Sequence, residues 1–227
     1  MSFNSERSLR RTLVFDCEAA PILNAADYLE PVSAPSNYKN QDAIDRYCAE
    51  ARLEQLAKCA LDPDLARIVA LGLIVDGEVT VDTAKDEGQE RALLAAFWFM
   101  LGDYPYPRLI GFNCLGYDLP LIYRRSLYLG VTPKPIAMGK YKHPDVDDLM
   151  MVLSFDGAQK FHSLDFYCKR FNLDVPTDPV KGKDIGALVA ANDWEAIAHH
   201  CRCDVIRTAM LGARMGYCHV SQTEAVL

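Results

Sequence analysis

Two carboxylates one residue apart, Asp16 and Glu18, close the apolar run Leu13-Val14-Phe15-Asp16-Cys17-Glu18-Ala19. Side chains two apart on a strand point to the same face. Such a pair would project together from the end of a buried strand. Two like charges side by side repel, and one stays protonated unless a cation sits between them. A hard divalent ion with oxygen ligands is the simplest such cation. An isolated D-x-E can equally be a strand end with two solvated acids, so the reading depends on finding further ligands.

Two later blocks offer them. Gly111-Phe112-Asn113-Cys114-Leu115-Gly116-Tyr117-Asp118 follows an apolar run and ends in a carboxylate before Leu119-Pro120. Asp118 at such a helix start is either a ligand or a simple N-cap. His199-His200-Cys201-Arg202-Cys203-Asp204-Val205 lies in the last long helical stretch. Asp204 comes about one turn after His200 and slightly more than one turn after His199. Both imidazoles are expected to share a face with it; the bland reading is an exposed polar face.

These residues need a scaffold, and the remaining pattern supplies one. A first strand is expected over 12–18, then an irregular excursion over 19–40 marked by Pro21, Pro31 and Pro35. A helix follows over 41–60, with Ile44, Tyr47, Cys48, Ala51, Leu53, Leu56 and Ala57 at helical spacing. The run 67–75, the turn Asp76-Gly77 and the return 78–81 read as a hairpin. A helix over 88–102, a strand over 108–113 and a helix from Asp118 to about Leu129 come next, with Gly130 as its C-terminal stop. Residues 131–145 read as a loop, and 146–153 as a short strand or helix start. Ser163 is placed to cap a helix over 164–171. Two helices, 184–191 and 193–215, end the pattern after a polar loop over 174–186. The order predicts an α/β class with one mixed sheet flanked by helices. A single domain over 12–215 is expected, with tails at 1–11 and 216–227.

Composition narrows the function. The 227 residues are half apolar and carry a formal net charge of −7. That argues against a surface coated in basic patches for long duplex DNA, but not against a nucleic-acid enzyme whose acids hold cations. The eight cysteines include no C-x-x-C and no paired Cys/His spacing for zinc. They read as reduced, buried thiols of an intracellular protein. With no signal peptide and no membrane span in the sequence, a cytoplasmic location is expected.

Taken together, D-x-E, N-x-x-x-Y-D and H-x-x-x-x-D in this order resemble the DEDD superfamily of 3′–5′ exonucleases, which have a ribonuclease-H-like fold. The likeness spans about 12–215. It is strongest to predicted exonucleases related to the proofreading domain of family-B DNA polymerases, on Phe15 to Glu18, Arg67 to Val69, Gly111 to Asn113, Tyr117 to Pro120, Asp148 to Met150 and Cys201 to Val205. The resemblance implies Asp16, Glu18, Asp118 and Asp204 as metal ligands and two ions, Mg²⁺ or Mn²⁺. It implies hydrolysis of phosphodiester bonds at 3′ ends, releasing nucleoside 5′-monophosphates. The polymerase-like branch has Tyr four residues before the last Asp, where this chain has His200. The other branch has His five before it, where this chain has His199. The second spacing is the one at which histidine serves in the family and favours His199 over His200 as general base.

For substrate, single-stranded DNA is favoured over RNA. An exoribonuclease of the same fold, or a catalytically silent nucleic-acid-binding module, is the alternative. Asn113, Tyr117, Lys181 and Lys183 are the candidate substrate contacts. Tyr117 is also expected, with Phe112, to pack beneath the site. A second basic stretch is Lys134, Lys140, Tyr141, Lys142 and His143. Asp148 is expected behind the ligands, Asp147 and Asp165 on the surface, and Trp98 and Trp194 in the core.

Overall fold

β-Branched and aromatic residues dominate Thr12–Phe15, and the strand they begin, β1, runs over Thr12–Pro21. It is the centre of a five-stranded sheet. β2 (Ala66–Val75) pairs antiparallel along its whole length, and β3 (Glu78–Thr83) continues the hairpin on the outside. On the other side β4 (Arg108–Gly111) and β5 (Val146–Asp148) run parallel to it, giving the order β3-β2-β1-β4-β5. The computed structural model describes residues 11–103, 106–137 and 143–218.

The helices are α1 (Gln41–Lys58), α2 (Glu87–Leu101), α3 (Asp118–Tyr128), α4 (Leu149–Leu153), α5 (Leu164–Arg170), α6 (Ile185–Ala191) and α7 (Trp194–Arg214). The α/β class with one mixed sheet is therefore as expected. Alternation along β1 divides the core. Leu13, Phe15 and Cys17 face the layer of α2 and α3, against Leu94, Phe97, Trp98, Leu119 and Ile122. Val14 faces the other layer, against Val205, Ile206 and Ala209 of α7. By the same period of two, Asp16 and Glu18 turn toward α7. β2 is covered on both faces and reads as an unbroken apolar run for that reason.

One ion pair seats α3. Glu90 of α2 is fully buried, and its carboxylate accepts two bonds from Arg125 of α3, at 2.8 and 2.7 Å. Its Oε1 also accepts the Ile68 N–H of β2 at 2.8 Å. The pair thus ties two helices to a central strand, and α3 begins with Asp118.

Several expectations needed adjustment. β1 runs three residues beyond Glu18, with a register shift between Glu18 and Ala19, and the excursion after it holds a 3-10 turn at Ala25–Tyr28. The stretch 146–153 is both a strand and a helix, because the Asp148 carboxylate caps α4 through the N–H groups of Met150 and Met151. α1 lies shallowly on the surface with no fully buried residue, and Leu53 is exposed rather than part of an inward stripe. Asp147 is buried, not on the surface, because the guanidinium of Arg108 meets its carboxylate across the parallel β4–β5 pair. Trp98 is core, whereas Trp194 is half-buried at the edge of the packing beneath α6 and α7. All eight cysteines are free and seven are buried. Among the described residues no helix is long and apolar enough to cross a membrane.

Candidate active site

β4 pairs with β1 only as far as Val14 and then leaves it at Gly111. Beyond that point the parallel strands part, and a cleft of ≈ 570 Å³ opens over the far half of β1. Its lining includes Asp16, Cys17, Glu18, Phe112, Asn113, Tyr117, Asp118, His200 and Asp204. The four acids, spread over 189 positions of sequence from Asp16 to Asp204, thus share one opening. Crevices beyond the carboxyl ends of parallel strands, where a sheet's connections diverge, commonly hold ligands.

The distances are short. One oxygen each from Glu18 and Asp204 and a ring nitrogen of His200 lie within 4.8 Å of one another. Glu18, Asp16 and the Cys201 thiol form a second group of the same tightness. The His200 Nε2 is 3.6 Å from Glu18 and 3.9 Å from Asp204. Asp204 is also held on its other oxygen by Arg207, at 2.7 Å, one turn along α7.

Crowding and burial act strongly on these groups. Burial, then the Asp118, Glu18 and Asp204 charges, push Asp16 well above the usual carboxylate range. Burial also raises Glu18 to about 8, with His200 opposing and Asp204 adding to the rise. Asp118 rises to about 6 through burial, although the Cys17 thiol and N–H donate to it at 3.0 and 3.3 Å. Protonated, such a set is an expensive arrangement of buried carboxyls; charged, it calls for cations. The donor set is predominantly carboxylate oxygen, which suits Mg²⁺ or Mn²⁺. Burial and the carboxylates around it hold the Cys201 thiol well above its ordinary range in the metal-free protein.

The two histidines separate. Five residues of helix turn about 140° beyond a full turn, whereas four return to within about 40°. His200 therefore shares a face with Asp204 and is buried in the cleft. His199 is exposed, and its Nε2 lies 3.5 Å from Cys203 on the same side of α7. The geometry thus places His200, and not the favoured His199, in the cleft beside Glu18 and Asp204.

A residue not singled out in the sequence completes the site. The buried carboxylate of Asp178, in the loop before α6, bonds to Nδ1 of His200. It also accepts the Val180 N–H at 2.9 Å. A carboxylate can only accept, so the proton of this bond sits on Nδ1 and Nε2 faces the acids as an acceptor whenever the ring is neutral. Burial works against charge on Asp178, but the bond to His200, the Val180 N–H and the His200 and Arg207 charges together outweigh it and keep the carboxyl low. Burial likewise opposes charge on His200, while Glu18 and Asp178 raise it overall. The only signal in the sequence was an acid among prolines in a polar loop, which nothing distinguishes from a solvated one.

The loop that delivers Asp118 is braced from behind. Asp148, almost fully buried, accepts the N–H groups of Asn113 and Leu115 at 2.9 and 3.0 Å. Asn113 takes a left-handed backbone, φ 61°, and its side chain fills the space where a Cβ on Gly116 would sit. Asp148 thus supports the ligand loop, and Asn113 both shapes it and lines the cleft. Tyr117 lines the cleft, and its hydroxyl donates to the Ala60 carbonyl. Lys181 and Lys183 are exposed on either side of Gly182, the residue of that turn that lines the cleft. Lys134 donates instead to the Gly102 carbonyl and lies near Tyr106. Lys140, Tyr141 and Lys142 lie outside the described residues; the Nδ1 of His143 is 3.0 Å from the Val146 carbonyl.

A family model described as "Predicted 3'-5' exonuclease related to the exonuclease domain of PolB" matches residues 60–225. The match takes in Asp118, Asp178, His200 and Asp204 and begins after β1. Among solved structures, the family B DNA polymerase from the hyperthermophilic archaeon Pyrobaculum calidifontis aligns over 91% of this chain at a TM-score of 0.58 and 17% identity. At that identity the likeness is one of fold, and it is consistent with a ribonuclease-H-like α/β architecture. The chain spans about a quarter of that polymerase, 24% of its length. No curated protein matches the sequence.

Proposed function

The chain belongs to the family of predicted 3′–5′ exonucleases related to the exonuclease domain of PolB, and on that premise we propose that it removes nucleotides from the 3′ ends of single-stranded DNA by metal-dependent hydrolysis. The observation that carries the reading is the convergence of Asp16, Glu18, Asp118, Asp204 and His200 on one cleft. The catalytic unit is the single domain expected over 12–215.

Asp16, Glu18 and Asp204 would hold a divalent cation, and Asp118 with Asp16 a second one. Two such ions, when bound, supply an acidified water and stabilise charge on the leaving 3′ oxygen. The remaining work falls to the chain. Nε2 of His200 takes the proton of the attacking water, acting as general base. Asp178 holds the ring so that Nε2, not Nδ1, faces the reacting centre. Arg207 restrains Asp204 on the oxygen turned away from His200. Asp148 fixes the loop that presents Asp118. The ring of Tyr117 and the side chain of Asn113 bound the space for the terminal nucleotide.

The test is a labelled single-stranded DNA and an RNA of the same sequence, competed in one reaction with Mn²⁺. Stepwise loss from the 3′ end of the DNA, abolished by EDTA and by Asp16→Ala or Asp204→Ala, is the expected outcome. Preferential RNA digestion would instead assign an exoribonuclease on the same site. Parental levels of activity in both variants would remove the site altogether.

A further inference from the structure

One part of the cleft wall is built from rings that the hydrolytic site does not use. Phe161, His162, Ser163 and Leu164 line the same opening as the four acids. His162 stacks on Phe166 with ring centroids 4.0 Å apart and planes 12° from parallel. Tyr167 meets the edges of both rings, at 5.9 and 5.4 Å, and packs in turn on Phe112 at 6.2 Å. Phe112 and Tyr167 join the core beneath α7. The outer rings do not: Phe161 is 48% exposed and Phe166 37%.

Part of this has a local cause. Ser163 caps α5 through the Phe166 N–H, so His162 precedes the cap, and its contact with Tyr167 at the fourth helical position resembles a staple of the helix start. A staple requires one pair. It does not account for the exposure of Phe161, which lines the cleft, or for that of Phe166. Contiguous exposed apolar surface on a soluble domain commonly marks a binding surface.

Its continuity with the cleft and the charge around it identify the occupant. Lys169 bonds to Asp165 of α5 at 2.8 Å. The bond and charge of Lys169 first, and then the Lys181 and Arg207 charges, hold the Asp165 carboxyl below its ordinary value. Gly182 lines the same opening as Phe161 to Leu164, which brings the turn carrying Lys181 to the rim of the aromatic wall. Rings that can stack, flanked by exposed cations, suit unpaired bases on a phosphate backbone. Bases in a duplex are stacked on each other and cannot meet such a wall without being drawn out.

We propose that Phe161 and the His162–Phe166 stack form a shelf for the bases next to the terminal nucleotide, with Lys181 beside their phosphates. The shelf rests on the exonuclease reading and adds to it the place where the bases behind the terminal nucleotide are held.

The experiment uses two oligonucleotides with the same 3′-terminal nucleotide, one carrying abasic residues at the second and third positions. KM and kcat are measured with Mn²⁺ for the parent, His162→Ala/Phe166→Ala and Phe166→Leu. For the parent the abasic strand raises KM roughly 5- to 160-fold, the span of one base–ring stack, and changes kcat little. Both variants bring KM for the intact strand up toward that of the abasic one. Phe166→Leu keeps an apolar side chain and removes only the ring, which separates stacking from folding. Equal KM for the two strands with the parent, or undiminished discrimination by Phe166→Leu, overturns the shelf. In a parallel arm, 2-aminopurine at the second position is bound in EDTA, where nothing is cleaved. Quenching by the parent and its loss in the variants is expected. A parent that releases nothing from either strand with Mn²⁺ overturns the exonuclease reading, and the fluorescence arm then still decides the shelf.

Discussion

Nδ1 of His200 is bonded to the carboxylate of Asp178, a residue 22 positions earlier in a loop, while Nε2 of the same ring faces Glu18 and Asp204. The imidazole is thus held between a carboxylate that orients it and carboxylates that suit a metal. Replacing Asp178 by Asn frees the ring to take the other tautomer. On the order of a 10- to 100-fold loss of kcat is expected, the usual cost of removing an orienting partner, with KM little changed. A ¹⁵N spectrum of the His200 ring, showing the proton shift from Nδ1 toward Nε2, distinguishes this from general damage to the fold.

His200→Ala and His199→Ala are expected to diverge. Loss of a general base costs roughly 10²- to 10⁴-fold in rate, and that falls on His200. His199, exposed on the far side of the turn, leaves the rate near that of the parent. Single-turnover cleavage of the two variants side by side checks this, and equal losses would return the role to an undecided pair.

Stability of the metal-free protein is expected to fall as pH rises. Glu18 is raised from 4.5 to about 8 and Asp118 from 3.8 to about 6 by folding. A raised carboxyl stabilises the fold fully below its ordinary value and loses that contribution as pH climbs through the folded one. The loss therefore spans the region between about pH 4 and pH 8. Melting in EDTA should give a lower Tm at pH 8 than at pH 5, with Glu18→Gln flattening the slope. Added Mn²⁺ should raise Tm more at the higher pH, where the ligands have lost their protons.

Glu90→Ala is expected to destabilise the fold by about 3–5 kcal/mol, because it leaves Arg125 buried with only the exposed Glu87 carboxylate, 3.9 Å away, for a partner. The Ile68 N–H loses its acceptor as well. Urea denaturation reads the loss. The double change Glu90→Leu/Arg125→Met should recover much of it, since removing both charges removes the desolvation penalty with them.

How much of this was legible beforehand depends on the range over which each residue is determined. The strands around Asp16 and the helix from Asp118 follow from local periodicity and turn residues, and they fall close to where the pattern put them. The pairing of His200 rather than His199 with Asp204 does not, because one residue of helix is a rotation of about 100° and the family spacing pointed the other way. Asp147 and Asp148 are adjacent in sequence, yet one pairs with Arg108 and the other braces the Asn113 loop. A three-residue strand carries too little alternation to foretell that division. Asp178 was unreadable because its meaning comes wholly from a contact across the fold.

Gly72 sits opposite Asp16 in the β1–β2 pairing, and a Cβ there would lie 3.1 Å from the Cys201 sulfur and 3.2 Å from Val205. The bare backbone at that point lets α7 settle onto the sheet at the depth that brings His200 and Asp204 down to Asp16 and Glu18. The gauge of the reaction centre is therefore cut by a missing methyl group. A chain could retain every acid and the imidazole and still be silenced from a strand that never meets the nucleic acid.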